Sequence, residues 1–185
     1  DLHSVTHSFP TRRSSDLYLD RVARIRQAMP DCAITTDIIA GFCGETEQDH
    51  QDTLDIMRRV KYDYAYMFQY SERPGTLAAR KYPDDIVPQE KTRRLNEIIA
   101  LQNELSLESN KKDVGKVLTV LVEGTSKRSD KELCGRASNN KMCVFPAELA
   151  EASEPTAPGR YHVGDYVKVE VLSCTSATLI CKIAE

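Results

Sequence analysis

The hydrophobic pattern changes near Asp113, and this change constrains the fold more than any other feature of the sequence. Before it, segments with helical spacing alternate with short strand-like runs. Three predicted helices and two predicted strands lie, in chain order, at 18–29, 33–39, 46–60, 62–70 and 88–110. Helices that alternate with strands predict parallel strands joined by crossover helices, so this part belongs to an α/β sheet or barrel.

The chain from Val114 onward shows short strand patterns in place of helical periodicity. Val167, Val169 and Val171 alternate with charged residues, which predicts that they point into a core. Residues 148–158, rich in Glu, Ala and Pro, predict a surface loop. The predicted strands lie at 116–123, 133–137, 141–145, 166–172 and 178–183. Five short strands in about 70 residues predict a small closed all-β barrel of the OB type.

The first 17 residues fit neither part. The segment HSFPTRRSSDL, at 7–17, resembles an in-frame translation of a sequencing-library adapter. A Ser/Arg-rich tail or a transit peptide is the alternative, and the lack of an apolar stretch argues against a secretory signal. We interpret residues 1–17 as a non-native scar, so the protein's own sequence would continue upstream of Tyr18 and this chain would be a fragment.

Charge and cysteine usage exclude several classes of protein. The chain holds 25 Lys and Arg against 28 Asp and Glu, a net charge of −3 at pH 7. It has no run of about 18 apolar residues, so we expect no membrane-spanning helix. Its six cysteines form no CxxC pair, which argues against a zinc or iron–sulfur site within this chain. We expect free thiols, no metal ligand and a cytoplasmic location.

The segment GFCGET follows the first predicted strand and is a candidate ligand loop. Loops at the C-terminal ends of parallel strands converge on the ligand crevice. Gly41 and Gly44 remove side chains that would block a flat ligand, and Ile39 and Phe42 could then pack on an apolar ring such as adenine. The same residues also fit an ordinary strand–helix turn, in which Glu45 only neutralises the helix N-terminus.

The second predicted strand carries an aromatic stripe. Tyr64, Tyr66, Phe68 and Tyr70 recur with a period of two. We interpret Tyr64 and Tyr66 as core residues, because aromatic faces on strands are usually buried. Tyr70 and Arg73 lie at the strand end and in the next loop, so they are candidate ligand contacts, although Arg73 could equally pair with a surface carboxylate.

Basic residues cluster in the second part. Lys127, Arg128, Lys131, Arg136 and Lys141 fall within 15 residues that contain only two acids. If the strands predicted at 133–137 and 141–145 fold back on each other as a hairpin, these five could form one basic face suited to phosphates. A solvated loop explains the same charges equally well. No Ser/His/Asp set, Cys/His pair or P-loop is present, so we predict no catalytic residue in this chain.

Six motifs in this order resemble the C-terminal half of the MiaB-type radical SAM methylthiotransferases. They are TTDIIAGFCGETEQDHQDTL, YSERPGTLAA, VPQEKTRRLNEIIALQ, VLVEGTSKRS, LCGRASNNKMCVFP and HVGDYVKVEVLSCTSATL. The resemblance covers residues 18 to about 180. It implies that residues 18–113 form the end of a partial TIM-type radical SAM barrel. Residues 114–185 would be a TRAM domain, a small OB-like RNA-binding barrel.

The resemblance also implies a reaction. These enzymes attach a methylthio group to C2 of N6-isopentenyladenosine next to the tRNA anticodon, and a [4Fe–4S] cluster cleaves S-adenosylmethionine. A second [4Fe–4S] cluster takes part in sulfur insertion. The cysteine ligands of both clusters would lie upstream of Tyr18, so this chain alone would be inactive. The implied partner is tRNA, and we expect a monomer.

The family assigns roles to several residues. It places Ile39 and Gly41 at the adenine side of S-adenosylmethionine, beside Phe42 and Gly44. It places Arg73 and Thr76, in the loop after Tyr70, at the barrel mouth, where the resemblance implies contacts with the substrate or the cofactor. Cys43 stands where many relatives have proline, so it is not expected to ligate iron. The TRAM-like barrel would bind tRNA through Lys127, Arg128, Arg136 and Lys141.

Two alternatives remain open. A sister methylthiotransferase would modify a ribosomal protein or a threonylcarbamoyladenosine tRNA. The protein-directed relative carries an acidic Asp-Ala-Pro stretch after its Gly-Arg, whereas Gly135-Arg136 precedes ASNNKMCVF here, which favours RNA. The second alternative is a non-catalytic RNA-binding module.

The tail TLICKIAE departs from the family because it lacks the usual Gly-Glu after the last strand.

Overall fold

The computed structural model describes residues 12–147 and 161–184. Most of the predicted scar and the surface loop predicted at 148–158 lie outside this range. The chain forms two compact units, the first ending at Leu105 and the second starting at Ser106. The predicted fold class, an α/β part followed by a small all-β barrel, is confirmed. The domain boundary predicted at residue 113 stays a prediction.

The first unit alternates helices and strands as the sequence predicts. Its two strands pair in parallel, from Thr35 opposite Tyr64 to Ala40 opposite Gln69. The elements are α1 (Arg12–Ala28), β1 (Thr35–Ala40), α2 (Glu47–Val60), β2 (Tyr64–Gln69), α3 (Leu77–Lys81) and α4 (Pro88–Lys111). Helix α1 begins inside the stretch interpreted as a scar, because no Gly or Pro interrupts the chain between Arg12 and Tyr18. The short helix α3 was not predicted.

Local capping sets the ends of α2. The Thr46 hydroxyl accepts a hydrogen bond from the Asp49 amide, and the Asp49 carboxylate accepts one from the Thr46 amide at 2.8 Å, so the two residues form a capping box. Lys61 ends the helix in the left-handed conformation, with φ 53°, and its amide donates to the Met57 carbonyl. The direction of the chain on both sides of the helix is therefore fixed by local bonds.

The core of the first unit lies on one face of the two-stranded sheet. Ala40 and Ala65 are buried there, and Ala40 belongs to one core cluster with Met57 of α2 and Ile98 of α4. The prediction that Tyr64 and Tyr66 belong to the core is wrong, since they are 48% and 53% exposed. A period of two separates the faces of a strand but does not reveal which face the helices cover. Here the helices cover the alanine face.

The second unit is a closed five-stranded barrel. Its strands are β3 (Val117–Ser126), β4 (Ser129–Ala137), β5 (Met142–Pro146), β6 (Tyr166–Cys174) and β7 (Leu179–Ile183). They follow the order β3-β4-β5-β7-β6 around the barrel. Only the β5–β7 pair is parallel. Strand β7 closes the barrel despite the departure of the tail from the family pattern, because it pairs with both β5 and β6.

The barrel interior is apolar and tightly packed. Val167, Val169 and Val171 are buried, as predicted, together with Phe145. A side chain at Gly135 would collide with the Leu121 carbonyl of the neighbouring strand, so β3 and β4 approach closely only because this residue is glycine. Strand β3 does not stop at Gly124 as predicted; the pairing shifts there in a bulge and the hairpin continues.

A buried ion pair fastens the segment before β3 to the barrel. The Asp113 carboxylate bonds to Lys116 Nζ at 2.8 Å and to Lys141 Nζ at 2.7 Å. Lys141 Nζ also donates to the Ser109 carbonyl at 3.0 Å. Burial raises the pKa of Asp113, but the hydrogen bonds from the two lysines outweigh it and the net shift is downward. Asp113 therefore remains ionised inside the second unit.

Candidate functional site

The loop after β1 adopts the backbone conformation that its glycines permit. Gly41 and Gly44 have φ angles of 74° and 77°. The Glu45 carboxylate folds back on the loop and accepts hydrogen bonds from the amides of Gly41, at 2.8 Å, and Phe42, at 3.3 Å. The Gly44 amide donates to Asp85 Oδ1 at 2.7 Å. The loop amides are therefore bonded to carboxylates of the protein itself.

Two buried cations on α4 support this loop. Lys91 Nζ bonds to the Asp84 carboxylate at 2.5 and 2.7 Å and to the Tyr70 carbonyl at 3.3 Å. A side chain at Gly41 would collide with Lys91 Cγ. Arg94 Nη1 donates to the Glu45 carbonyl and to its Oε1, both at 2.9 Å. Gly41 is therefore required by the packing of Lys91, before any ligand is considered.

Sequence reasoning missed Lys91 and Arg94, although a signal was present. Both cations lie in phase with Ile98, Gln102 and Leu105, the buried face of α4. A positive charge at a core position of a helix is stable only with a buried partner. That pattern predicts two acids behind the loop, and the structure supplies them as Asp84 and Glu45, which occupies one of the candidate loop's own positions.

An aromatic pair brings together the ends of the two strands. Tyr70 continues the parallel pairing, because its amide donates to the Ala40 carbonyl at 2.8 Å. The Phe42 and Tyr70 rings meet edge to face, with centroids 4.9 Å apart. Ile39 lies apart from this pair, on the open face of the sheet, and is 55% exposed. The predicted cofactor residues thus divide between a packed loop and an exposed strand position.

The loop after β2 holds the other two candidates of the first unit. The Thr76 hydroxyl donates to the Arg73 carbonyl at 2.8 Å and accepts from the Ala79 amide at 3.2 Å, so it caps α3. The Arg73 side chain is exposed and makes no hydrogen bond or ion pair within the described ranges. Arg73 is therefore open to a ligand, whereas the Thr76 hydroxyl is used by the fold.

The five basic residues of the barrel do not form one face. Lys127 and Arg128 are exposed at the tip of the β3–β4 hairpin, beyond the Ser126–Ser129 pair. Arg136 lies eight residues further along the hairpin, a distance of about 25 Å in an extended strand. Lys141 points inward to Asp113, and its side chain is only 12% exposed. The predicted continuous basic face is therefore wrong for Lys141, because Asp113 already neutralises that charge.

The part of the chain that the structure describes gathers no group of three metal-ligating side chains. The six cysteines are free thiols. Within the same residues, no helix is long and apolar enough to cross a membrane.

A cleft of about 350 Å³ lies between β1, α1 and α2, and Tyr18, Asp37 and Ile39 are among its lining residues.

The barrel fold and its sequence agree on the class of this unit. The family model for the TRAM domain matches residues 111–183, so the second unit is a TRAM domain.

Most of the chain is similar to curated proteins named tRNA-2-methylthio-N(6)-dimethylallyladenosine synthase. The protein from Phocaeicola vulgatus is 51% identical over 162 residues, 88% of this chain and 33% of that protein. Those from Amoebophilus asiaticus and Porphyromonas gingivalis are 52% and 49% identical over 167 and 168 residues. The chain spans about a third of the length of these relatives. The chain is therefore a relative of the MiaB-type methylthiotransferases, as its motifs indicate.

Proposed function

We propose that this chain is part of a cytoplasmic, monomeric tRNA methylthiotransferase that modifies C2 of N6-isopentenyladenosine next to the anticodon. The observation that carries the proposal is the similarity to enzymes of this name, 51% identity over 88% of the chain. A TRAM domain at residues 111–183 supports tRNA as the partner. The relatives extend well beyond the part that this chain matches, so the activity belongs to the longer protein.

The proposed cofactors are S-adenosylmethionine and two [4Fe–4S] clusters. When bound, they supply the radical chemistry that an unactivated aromatic C–H bond requires. A [4Fe–4S] cluster needs several thiolates at one place, and the described residues do not fit such a cluster because they gather no such group. We therefore assign the cluster ligands to parts of the protein that this chain does not span.

The residues after β1 fit one side of an adenosyl group. The exposed Ile39 side chain offers an apolar surface at the C-terminal end of β1, while the Phe42 ring packs edge to face on Tyr70 in the loop that follows. Gly41 and Gly44 shape the loop, since the bonds to Glu45 and Asp85 use their amides. In this proposal the chain contributes an apolar wall for adenine, and its loop amides do not bind the ligand.

The proposed tRNA contacts come from two places. In the first unit, Arg73 offers an unpaired guanidinium three residues after Tyr70 in the chain, while Thr76 orients the loop that carries it. In the barrel, Lys127, Arg128 and Arg136 are exposed cations suited to phosphates. Lys141 is left out because its charge is buried against Asp113.

A chimeric enzyme tests the proposal. The part of the Phocaeicola vulgatus relative that aligns with this chain is exchanged for this chain's residues, and the chimera is expressed in bacteria lacking their own methylthiotransferase. Mass spectrometry of tRNA nucleosides is expected to detect the 2-methylthio derivative of isopentenyladenosine. A methylthio derivative of threonylcarbamoyladenosine would favour the sister enzyme instead. A folded chimera that binds tRNA but modifies no nucleoside would favour the non-catalytic module.

A further inference from the structure

An exposed aromatic ring stands on the outer wall of the barrel. Tyr166, the first residue of β6, is 72% exposed, while Val167 and Val169 beside it are buried in the core. The alternation of a strand therefore places Tyr166 and Lys168 on the same outward face. A single exposed apolar residue needs no explanation, so the neighbours of Tyr166 decide whether its exposure is significant.

The strand register places Tyr166 in a row with Arg136. Tyr166 lies opposite Leu121 of β3, and Leu121 lies opposite Arg136 of β4. Neighbouring strands are about 4.8 Å apart, so the ring and the arginine are separated by about 10 Å. Leu121 between them is half-buried. An aromatic ring, a half-buried leucine and a guanidinium therefore lie in one row on three neighbouring strands.

The arginine of this row is held in place. Arg136 Nη1 donates to the Asn140 carbonyl at 3.0 Å and to its side-chain oxygen at 3.3 Å, and Nε lies 3.5 Å from Glu123 Oε1. Fixing a guanidinium before binding reduces the entropy that a ligand contact must offset. The Nη2 group of this guanidinium makes no hydrogen bond within the described residues, so it is available to a ligand from a preset position.

Lys168 is an unpaired cation on the same face as Tyr166. Lys168 is exposed and makes no ion pair among residues 12–147 and 161–184. The nearby acids are engaged: Glu123 with Arg136, Glu170 with Lys182 at 2.9 Å, and Asp165 with the His162 amide at 2.8 Å. Lys168 therefore has no carboxylate partner among the described residues and is available to a phosphate.

We propose that Tyr166, Leu121, Arg136 and Lys168 form a binding surface for a single-stranded segment of RNA. An unpaired base stacks on the Tyr166 ring, and the adjoining phosphates bind Arg136 and Lys168. Stacking requires a base outside a duplex, so a loop or an unpaired end of an RNA is the ligand. The inference rests on the proposed function, in which this barrel binds tRNA.

The test uses the 185-residue chain and a single-stranded RNA oligonucleotide that carries 2-aminopurine, with the same sequence as a duplex for comparison. Tyr166→Ala is expected to weaken binding of the single strand roughly 5- to 150-fold, the usual effect of losing one stacked base. Tyr166→Phe keeps a ring and is expected to bind within about twofold of the unchanged chain. The matched control is Leu172→Ala, an exposed apolar residue on the same strand, which is expected to change nothing.

Salt dependence separates the two kinds of contact. Lys168→Ala is expected to lower the slope of log K against log salt by about 1, because one phosphate contact is lost. Tyr166→Ala is expected to lower affinity and leave that slope unchanged, since stacking releases no counterion. Quenching of 2-aminopurine on binding should be lost in Tyr166→Ala and retained in Tyr166→Phe.

Each contrary result has a distinct meaning. If Tyr166→Ala behaves like Leu172→Ala, the stacking surface is overturned, even when changes at Lys127 and Arg128 weaken binding and so support RNA binding by the barrel. Equal affinity for the duplex, insensitive to Tyr166→Ala, would also overturn it. If the unchanged chain binds neither RNA, the inference and the proposed tRNA contact of this barrel fail together.

Discussion

Gly41 shows how a residue that looks like part of a ligand site can be required by the fold. Its φ of 74° favours glycine, and the Lys91 side chain occupies the space where a side chain would stand. Lys91 cannot move away easily, because it is buried and bonded to Asp84 and to the Tyr70 carbonyl. A glycine after a parallel strand can therefore be required by the packing of the protein as well as by a ligand.

Gly41→Ala is expected to lower the stability of the first unit. The left-handed conformation costs a residue with a side chain about 1–3 kcal/mol, and the collision with Lys91 adds to that. Urea unfolding followed by circular dichroism measures the loss. Gly75→Ala is the matched control, because Gly75 has φ 84° and open space around it, so it tests the backbone cost alone. Equal losses in the two variants would show that the Lys91 contact has no effect.

At the scale of elements, an ion network joins α2 to α4. Arg93 Nη2 bonds to Glu47 at 2.5 Å and also to Glu90, while Nη1 bonds to Glu97 at 2.6 Å. His50 Nε2 lies 2.7 Å from the other oxygen of Glu97. The hydrogen bond from Arg93 lowers the pKa of Glu90 to about 2. The hydrogen bond to His50 is the main cause that lowers the pKa of Glu97.

Acid is therefore expected to loosen the pairing of α2 with α4. A carboxyl group whose pKa is lower in the folded state stabilises the fold above its unfolded pKa of about 4.5 and loses that contribution as the pH falls towards 2. The urea midpoint should fall over this pH window, and Glu90→Gln should make the fall smaller. Glu104→Gln, a change at an exposed acid of the same helix, should leave the pH dependence intact. The same pH dependence in both variants would count against the network.

The β3–β4 hairpin presents its charges at the tip. We expect the Lys127→Ala/Arg128→Ala double variant to bind tRNA more weakly and to show a flatter salt dependence, because two exposed cations that neutralise phosphates are lost. Binding titrations at several salt concentrations measure both effects. Lys141→Ala is the contrasting variant: its charge pairs with Asp113, so it should reduce stability and leave the salt slope unchanged. A double variant with unaltered affinity and slope would exclude the hairpin tip as a tRNA contact.

The sequence predicted the helices and strands correctly where a hydrophobic period and a capping residue determine their bounds. The bounds of α2 and α4 follow from Thr46, Pro88 and apolar spacing, and the five barrel strands follow from alternation. It failed where the answer depends on a neighbour distant in sequence. The burial of Tyr64 depends on which face the helices cover, and the direction of Lys141 depends on Asp113. The row from Tyr166 to Arg136 requires the register of three strands, which alternation alone does not provide.

At the scale of the whole molecule, the division into two units falls inside α4, between Leu105 and Ser106. The residues after the division matter to the barrel. The Asn110 side chain donates to the Thr175 carbonyl at 2.9 Å, and Asp113 bonds to Lys141 at 2.7 Å. A barrel fragment that starts at residue 114 lacks both contacts, whereas one that starts at Ser106 retains them.

We expect residues 106–185 to unfold cooperatively on their own and residues 114–185 to be less stable by about 2–4 kcal/mol. The shorter fragment leaves the mostly buried Lys141 ammonium without its carboxylate partner. Chemical denaturation of the two fragments measures the difference. Asp113→Asn in the longer fragment isolates the ion pair and should reproduce part of the loss. Equal stability of the two fragments would favour a boundary at residue 113.

The closure of the barrel by β7 restricts how anything can bind to it. Because β7 pairs with β5 on one side and β6 on the other, every described strand of the barrel has two partners, and these strands leave no free edge. A peptide therefore cannot dock by strand addition, which needs a row of unpaired amides and carbonyls. A ligand of this barrel must therefore bind to its side chains and turns. This restriction suits a nucleic acid, which presents bases and phosphates and has no peptide groups to pair with a strand.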